Sequence, residues 1–425
     1  MKVYEVLHKN KVLMGDFQKD ESARIYTRKK YKHLWLKQGV DKYYFKERLP
    51  RKELYIGDVV APYIFERVGL KPDDYLMYYL VEMETPEGVK PGVLSKCYIA
   101  KNEFQLSYYD VALFGYCLDN GIEYANIKDD KILGLEHSSK IRRFEQTFKE
   151  NPGEYLVSVD DMLHNIKRFC GHFKFDVDLE DIEFKLKRML IADFFLCQVD
   201  RHRGNTEFKV KHNKLSMCPI FDHEHCLSVG LLGKAYNMTK FPIYTGFSSV
   251  GSQKNTYETE AQNLATSGIR NATMFAKSLK ENSNFMENSR LFRDNGLMAC
   301  DIIAECLRDD RLKEIAYNFM CLDINKTLDQ FEKDYMGIHI PIKKCMCDQF
   351  ETMQEKFAVA FNIINKHFSQ PNKSNKKFEA LRQQFSQPIS VVNQRLKNRN
   401  QLLNKTAKPK ESQLDEEFLL GLLCN

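Results

Sequence analysis

Asp200-Arg201-His202-Arg203-Gly204-Asn205 is a polar loop set between an apolar segment and two short β-rich runs, and Pro219-Ile220-Phe221-Asp222 closes the second run. The segment before the loop contains LIADFFLCQV, and its length and apolar content predict a core helix over 180–198. The runs after it, TEFKVKH and KLSMCPIF, read as two strands with a turn at Asn213. The order is therefore helix, D-x-x-x-x-N loop, hairpin, apolar-apolar-Asp. Phosphoryl transfer needs parts of this kind. One carboxylate must hold the attacking hydroxyl and accept its proton, and oxygen ligands must hold Mg²⁺ on the phosphates. A loop Asp as base, a loop Asn as neutral ligand and an Asp after the hairpin would supply them. The loop read by itself also fits ordinary structure, with Asp200 ending a helix and Asn205 making a turn. The conjunction of its parts favours an active site.

The order D-R-H-x-x-N followed by P-I-F-D resembles the HipA-like kinase family, a branch of the protein-kinase-like fold. Phosphatidylinositol kinases share the D-R-H-x-x-N loop, but LIADFFLCQV and P-I-F-D are more similar to the HipA-like version. The similarity extends over roughly residues 40–310. It implies an α+β, two-lobed, protein-kinase-like fold of HipA type, with a small β-rich N-lobe and a larger helical C-lobe. It also implies ATP and Mg²⁺. Position by position, Asp200 matches the catalytic base and His202 a residue near the transferring phosphate. Asn205 and Asp222 match the metal ligands. Lys46 matches the strand lysine that grips the phosphates, although Lys42 competes for that place. Asp58, preferred over Glu53, matches the acidic partner on the small-lobe helix, though an Asp there also reads as a helix cap. Ser95, Lys96, Cys97, Tyr98 and Ile99 fall near the hinge that would hold adenine. Two features depart from ordinary protein kinases. Residues 16–42 contain one glycine, Gly39, so no glycine-rich phosphate loop precedes Lys46. His223 and Glu224 stand where Phe-Gly would follow the metal-binding Asp.

Working outward, the first hundred residues read as strands around one helix. KVYEVLH, VLMGDF and DKYYFKERL are β-rich, and DVVAPYIFERVGL has a helical period ending at Gly69. Pro62 fits the first turn of that helix. DYLMYYLVEME and GVLSKCYI flank the turn signal TPEGVKPG and predict a hairpin. Beyond it, helices are expected over 107–119, 139–149, 157–170, 258–283, 296–308, 310–334 and 347–368. The domain reading is an N-lobe over 1–100, a C-lobe over 101–370 and a basic tail over 371–425. Residues 223–256 would be the activation segment, with Ser228, Tyr236, Thr239, Tyr244, Thr245, Ser248 and Ser249 as candidate modification sites.

Charge is uneven. Residues 372–410 hold ten Lys and Arg against one acid, whereas 411–425 hold four acids and no base. The remainder is close to neutral, so no nucleic-acid face is indicated. The tail could meet an acidic partner or a membrane surface, or dock as a helix, or stay solvated. Twelve scattered cysteines without a CxxC read as buried thiols in a reducing compartment. Cys218, His223, His225 and Cys226 are close in sequence but lack the spacing of a zinc module. No apolar run is long enough for a membrane helix, and MKVYEVLHKN lacks a signal-like apolar stretch, so a cytoplasmic chain is expected. The function expected is a kinase acting on protein Ser/Thr, itself included. The rivals are a lipid or small-molecule kinase and a pseudokinase scaffold.

Overall fold

The computed structural model describes residues 1–7, 10–20, 33–47, 55–100, 103–119, 159–196, 198, 205–224, 226–227, 299–335, 343–368 and 376–406. The expected helices over 139–149 and 258–283, and the candidate modification sites, lie outside these residues.

Seven strands form an antiparallel sheet at the N-terminus. They are β1 (Lys2–Leu7), β2 (Asn10–Asp16), β3 (Gln18–Lys19), β4 (His33–Gln38), β5 (Asp41–Glu47), β6 (Tyr78–Thr85) and β7 (Gly88–Lys96), in the order β2-β1-β6-β7-β5-β4-β3. The two outer strands, β2 and β3, are separated only by Phe17, so the sheet curls back toward itself. The Gln38 amide crosses the seam to donate to the Met14 carbonyl at 3.0 Å. Val3, Phe17, Leu36, Phe45, Val81, Met83 and Leu94 fill the inside of the curl as a core of their own. Because side chains alternate along a strand, Phe45 points into this core and Lys46 points out of the opposite face.

On that opposite face lies α1 (Tyr55–Arg67). It begins earlier than the sequence indicates, so Pro62 is not in the first turn but inside the helix. The ring has no N–H to give to the carbonyl four residues back, which belongs to Asp58. The helix ends as expected, with Gly69 at φ +84° and the Leu70 N–H bonded to the Phe65 carbonyl. Its C-terminal end is tied to the helical region. Tyr63 donates to Asp334, Arg67 lies over the Tyr63 ring, and Asn318 donates to the Val68 carbonyl.

Between Lys96 and Phe104 the chain leaves the first sheet and enters a second, of order β8-β10-β11-β9. Its strands are β8 (Phe104–Ser107), β9 (Asp176–Val177), β10 (Glu207–Lys211) and β11 (Lys214–Met217). The β10–β11 turn has His212 and Asn213 both at positive φ, the geometry a tight two-residue hairpin demands. The other described helices are α2 (Tyr108–Asp119), α3 (Val159–Phe173) and α4 (Leu179–Phe195), which pack on this sheet, and α5 (Ala299–Arg308), α6 (Asp310–Cys321), α7 (Ile324–Asp334), α8 (Lys343–Phe368) and α9 (Lys376–Thr406), which pack on other helices. The architecture is thus α+β, a β-sheet region followed by a helical one. Among the described residues no helix is long and apolar enough to cross a membrane.

One helical expectation needs correction, and for residues 376–406 the docked-helix reading of the tail is the one the structure bears out. The helix expected over 310–334 is two helices, because the Asp323 side chain accepts from the Lys326 N–H and starts α7 afresh. The basic tail assigned to 371–425 is, over 376–406, a packed helix. Phe378, Leu381, Phe385, Ile389 and Val392 are buried at helical spacing. The charge total of this stretch hides that stripe, since its cations sit on other faces. One of them, Arg395, bonds Glu355 and Gln354 on α8. Phe385 packs against Tyr317, Phe357 and Phe361. Phe385→Ala should lower the unfolding free energy by about 3–5 kcal/mol in urea titration; a solvated tail would show no change.

Candidate active site

The face of β5 opposite the curl core carries Lys46 to a cluster of carboxylates. Its ammonium lies 2.9 Å from Asp58 Oδ2, 3.0 Å from Asp222 Oδ1 and 3.5 Å from Glu224 Oε2. It also lies 5.6 Å from the centroid of the Tyr78 ring. A strand and the first turn of the helix that follows it therefore meet the segment after β11, distant from both in sequence. Lys42 does not compete for the place. Its ammonium lies 3.5 Å from Asp20, away from this cluster. Glu53 lies outside the described residues.

Asp58 is fully buried and joins two elements. One carboxylate oxygen takes the Lys46 ammonium, and the other accepts the His223 N–H at 2.8 Å. Close packing fixes this junction. A Cβ on Gly57 would stand 2.4 Å from the His223 carbonyl oxygen, so only glycine lets α1 approach so near. His223 fills the space behind, its ring edge-on to Phe65 at 5.1 Å.

The backbone at Asp222 has φ +59°, a left-handed conformation uncommon for a residue with a side chain. It persists because its surroundings over-determine it. The Gln198 amide donates to the Asp222 carbonyl at 2.7 Å, and the Asp222 N–H donates to the Tyr78 hydroxyl at 3.3 Å. Gln198 is in turn placed by α4, its N–H bonding the carbonyl of the buried Asp193. Neither Gln198 nor Tyr78 is marked out by the sequence. Their role is to hold a backbone, and no residue pattern signals that.

One ammonium faces three carboxylates, so the fully ionised cluster carries net negative charge. Burial would push Lys46 down, but Asp222 and Asp58 outweigh it and hold the ammonium well above its ordinary value. Burial pushes Asp58 up to about 7 despite Lys46, and Asp222 and Glu224 add to the rise. The oxygen donors of Asp222 and Asn205 suit Mg²⁺, which prefers carboxylate and carbonyl oxygen.

Asn205 is buried immediately before β10, and Asp222 follows β11. The hairpin register, Phe208 opposite Met217 and the Cys218 N–H bonded to the Glu207 carbonyl, brings both to one end of the hairpin. Asp200 and His202 lie outside the described residues. Among the described residues no three His, Cys, Asp or Glu form a metal-holding set by themselves. The Cys226 thiol donates to the Gly57 carbonyl instead.

Of the hinge candidates, Ser95 and Lys96 end β7, and Cys97, Tyr98 and Ile99 lead toward β8. Lys96 is not brought to the cluster; its ammonium pairs with Asp41 at the surface. The Cys97 N–H bonds the Lys42 carbonyl at 2.8 Å. Ser95 is buried in β7, and Tyr98 also reaches inward. Its ring lies 5.9 Å from that of Phe221, the neighbour of Asp222, and its hydroxyl donates to Glu207. Gln105 donates to the same carboxylate. Burial pushes Glu207 up to about 7, with Asp110 and Asp222 adding to it, against the two hydrogen bonds. The folded state then keeps a proton that the unfolded state has already lost between about pH 4.5 and pH 7. Stability from this group is full below that window and is lost as pH rises through it. Glu207→Gln should flatten the fall of unfolding free energy over that range, measured by urea titration at several pH values.

No family model matches the chain, and no curated protein is similar to it in sequence. Among solved structures it is similar to a Helicobacter pylori proinflammatory kinase, CtkA, at 12% identity and a TM-score of 0.45, over 82% of this chain and 96% of that one. A likeness of that size decides neither fold nor chemistry, and the site rests on its own geometry.

Proposed function

We propose that the protein is an ATP- and Mg²⁺-dependent kinase of the HipA-like type, moving the γ-phosphoryl group to the hydroxyl of a protein serine or threonine, its own included. The observation that carries this reading is the Lys46 ammonium held between Asp58 on a helix and Asp222 after a hairpin. A strand lysine paired with a helix carboxylate, beside a metal-binding Asp, is the arrangement that aligns nucleotide phosphates in protein kinases. The left-handed backbone at Asp222 supports it too, since such strain gathers at functional sites.

In this reading Lys46 binds phosphate oxygens, and Asp58 keeps it in place. Asp222 and Asn205 would hold Mg²⁺, which would neutralise charge on the phosphates. Asp200 accepts the proton of the attacking hydroxyl as the new O–P bond forms. The bond from the γ-phosphorus to the bridging oxygen breaks, and its electrons leave with ADP. Tyr98 and its neighbours would border the adenine. Catalysis is by positioning and charge, with no covalent intermediate on the protein.

A binding-only reading is favoured by one feature, the lack of a glycine-rich run before Lys46. Incubation with γ-labelled ATP and Mg²⁺, then mass spectrometry of the protein, separates the two. Phosphate on Ser or Thr, absent in Asp200→Asn, is expected. Bound nucleotide without transfer to the protein, to added proteins or to a lipid and small-molecule panel would favour the scaffold. Transfer confined to the lipid or small-molecule panel would change the acceptor class.

A further inference from the structure

Glu224 occupies a position where ordinary protein kinases have a glycine, and it bears on Lys46. The Lys46 ammonium has three N–H donors, and three carboxylates take them. The contacts differ in length: 2.9 Å to Asp58, 3.0 Å to Asp222 and 3.5 Å to Glu224. Asp58 is fully enclosed and bonded to the His223 N–H as well, so it is the fixed partner. Glu224 is the longest contact; its side chain is about one-fifth exposed and that of Asp222 about one-quarter, so it is distance that sets Glu224 apart. It is the partner most easily exchanged. Its backbone is nevertheless fixed, because Gly57 packs directly under the His223 and Glu224 carbonyls. The carboxylate is therefore anchored within reach of the ammonium.

We infer that Glu224 is a positioning residue that holds Lys46 in the nucleotide-free cleft and makes nucleotide binding depend on a divalent cation. This rests on the kinase reading above and adds to it. Phosphate oxygens entering the cleft must displace a carboxylate from Lys46, and they face the remaining negative charge. With the Asp222 carboxylate neutralised by a cation, the ammonium turns to phosphate and Glu224 yields. Without a cation, Glu224 competes for the ammonium and repels the phosphates. A neutral glutamine at this position neither competes strongly nor repels.

The test is binding of ATP to the full chain, in excess Mg²⁺ and in excess EDTA, by calorimetry. The ratio of the two dissociation constants is the readout, which a merely structural role would not move. In Glu224→Gln the EDTA constant should tighten about tenfold, equivalent to about 1.4 kcal/mol. The Mg²⁺ constant should change less than about threefold. Glu224→Asp keeps the charge and should keep the wild-type ratio. A ratio unchanged in Glu224→Gln, with a wild-type melting temperature, overturns the inference and leaves the kinase reading standing. So does an equal fall of the ratio in Glu224→Asp. Wild-type protein that binds ATP in neither condition overturns the kinase reading, and the inference with it. Should Glu224→Gln fail to fold, Glu224→Ala provides the same comparison with the same expected sign.

Discussion

Asp222→Asn should abolish Mg²⁺-stimulated ATP binding and lower phosphoryl transfer on the order of 10³-fold, while the protein stays folded. The substitution removes a charge and almost no volume. Asparagine also accepts the left-handed backbone that position 222 requires, more readily than most residues. The Gln198 and Tyr78 contacts are to backbone atoms of residue 222 and survive. Lys46 keeps Asp58 and Glu224 as partners. The lost quantity is therefore electrostatic and is felt where charge develops in transfer, the kind of term worth 10²- to 10³-fold or more. The checks are labelled-ATP turnover, calorimetry with and without Mg²⁺, and a thermal melt. Wild-type turnover in a folded Asp222→Asn protein would remove Asp222 from the chemistry.

Lys46→Met should also lower transfer, by about 10²-fold or more, and here stability should fall as well. The ammonium is the one cation contacting Asp58 among the described residues, and breaking a buried pair typically costs about 3–5 kcal/mol. The loss should depend on pH with a definite sign. Asp58 is raised to about 7 already, and without Lys46 it rises further. The folded state escapes the penalty by keeping a proton on Asp58, which costs little at pH 5 and much more at pH 8. Urea titration should thus show a large destabilisation at pH 8 and a small one at pH 5. An equal loss at both would mean that Asp58 is not the group left unpaired.

Part of the site is legible in the sequence because its chemistry sits in one short run. The resemblance that D-R-H-x-x-N and P-I-F-D carry points to Asn205, Asp222, Lys46 and Asp58, with Lys42 and Glu53 as rivals, and the structure brings Lys46, Asp58 and Asp222 together. What the sequence hides is tertiary. Glu224 reads only as a departure from Phe-Gly until its carboxylate is placed beside Lys46. Gln198 and Tyr78 act on the backbone of residue 222, and Lys96 is turned outward by Asp41. In the fold, period-2 and period-3.6 patterns reveal β5, α1 and α4. The seam between β2 and β3 does not show, because closure depends on Phe17 turning a corner. The packing of α9 is masked when charge is averaged over a stretch whose apolar residues recur every three or four positions.

The most direct test is a crystal of the protein with Mn²⁺ and a non-hydrolysable ATP analogue, read by anomalous scattering. Expected is a metal peak bonded to both Asn205 and the Asp222 carboxylate, at about 2.1 Å, with Lys46 on the phosphates. A metal bound elsewhere, or Asn205 and Asp222 too far apart to share one, would contradict the phosphoryl-transfer reading.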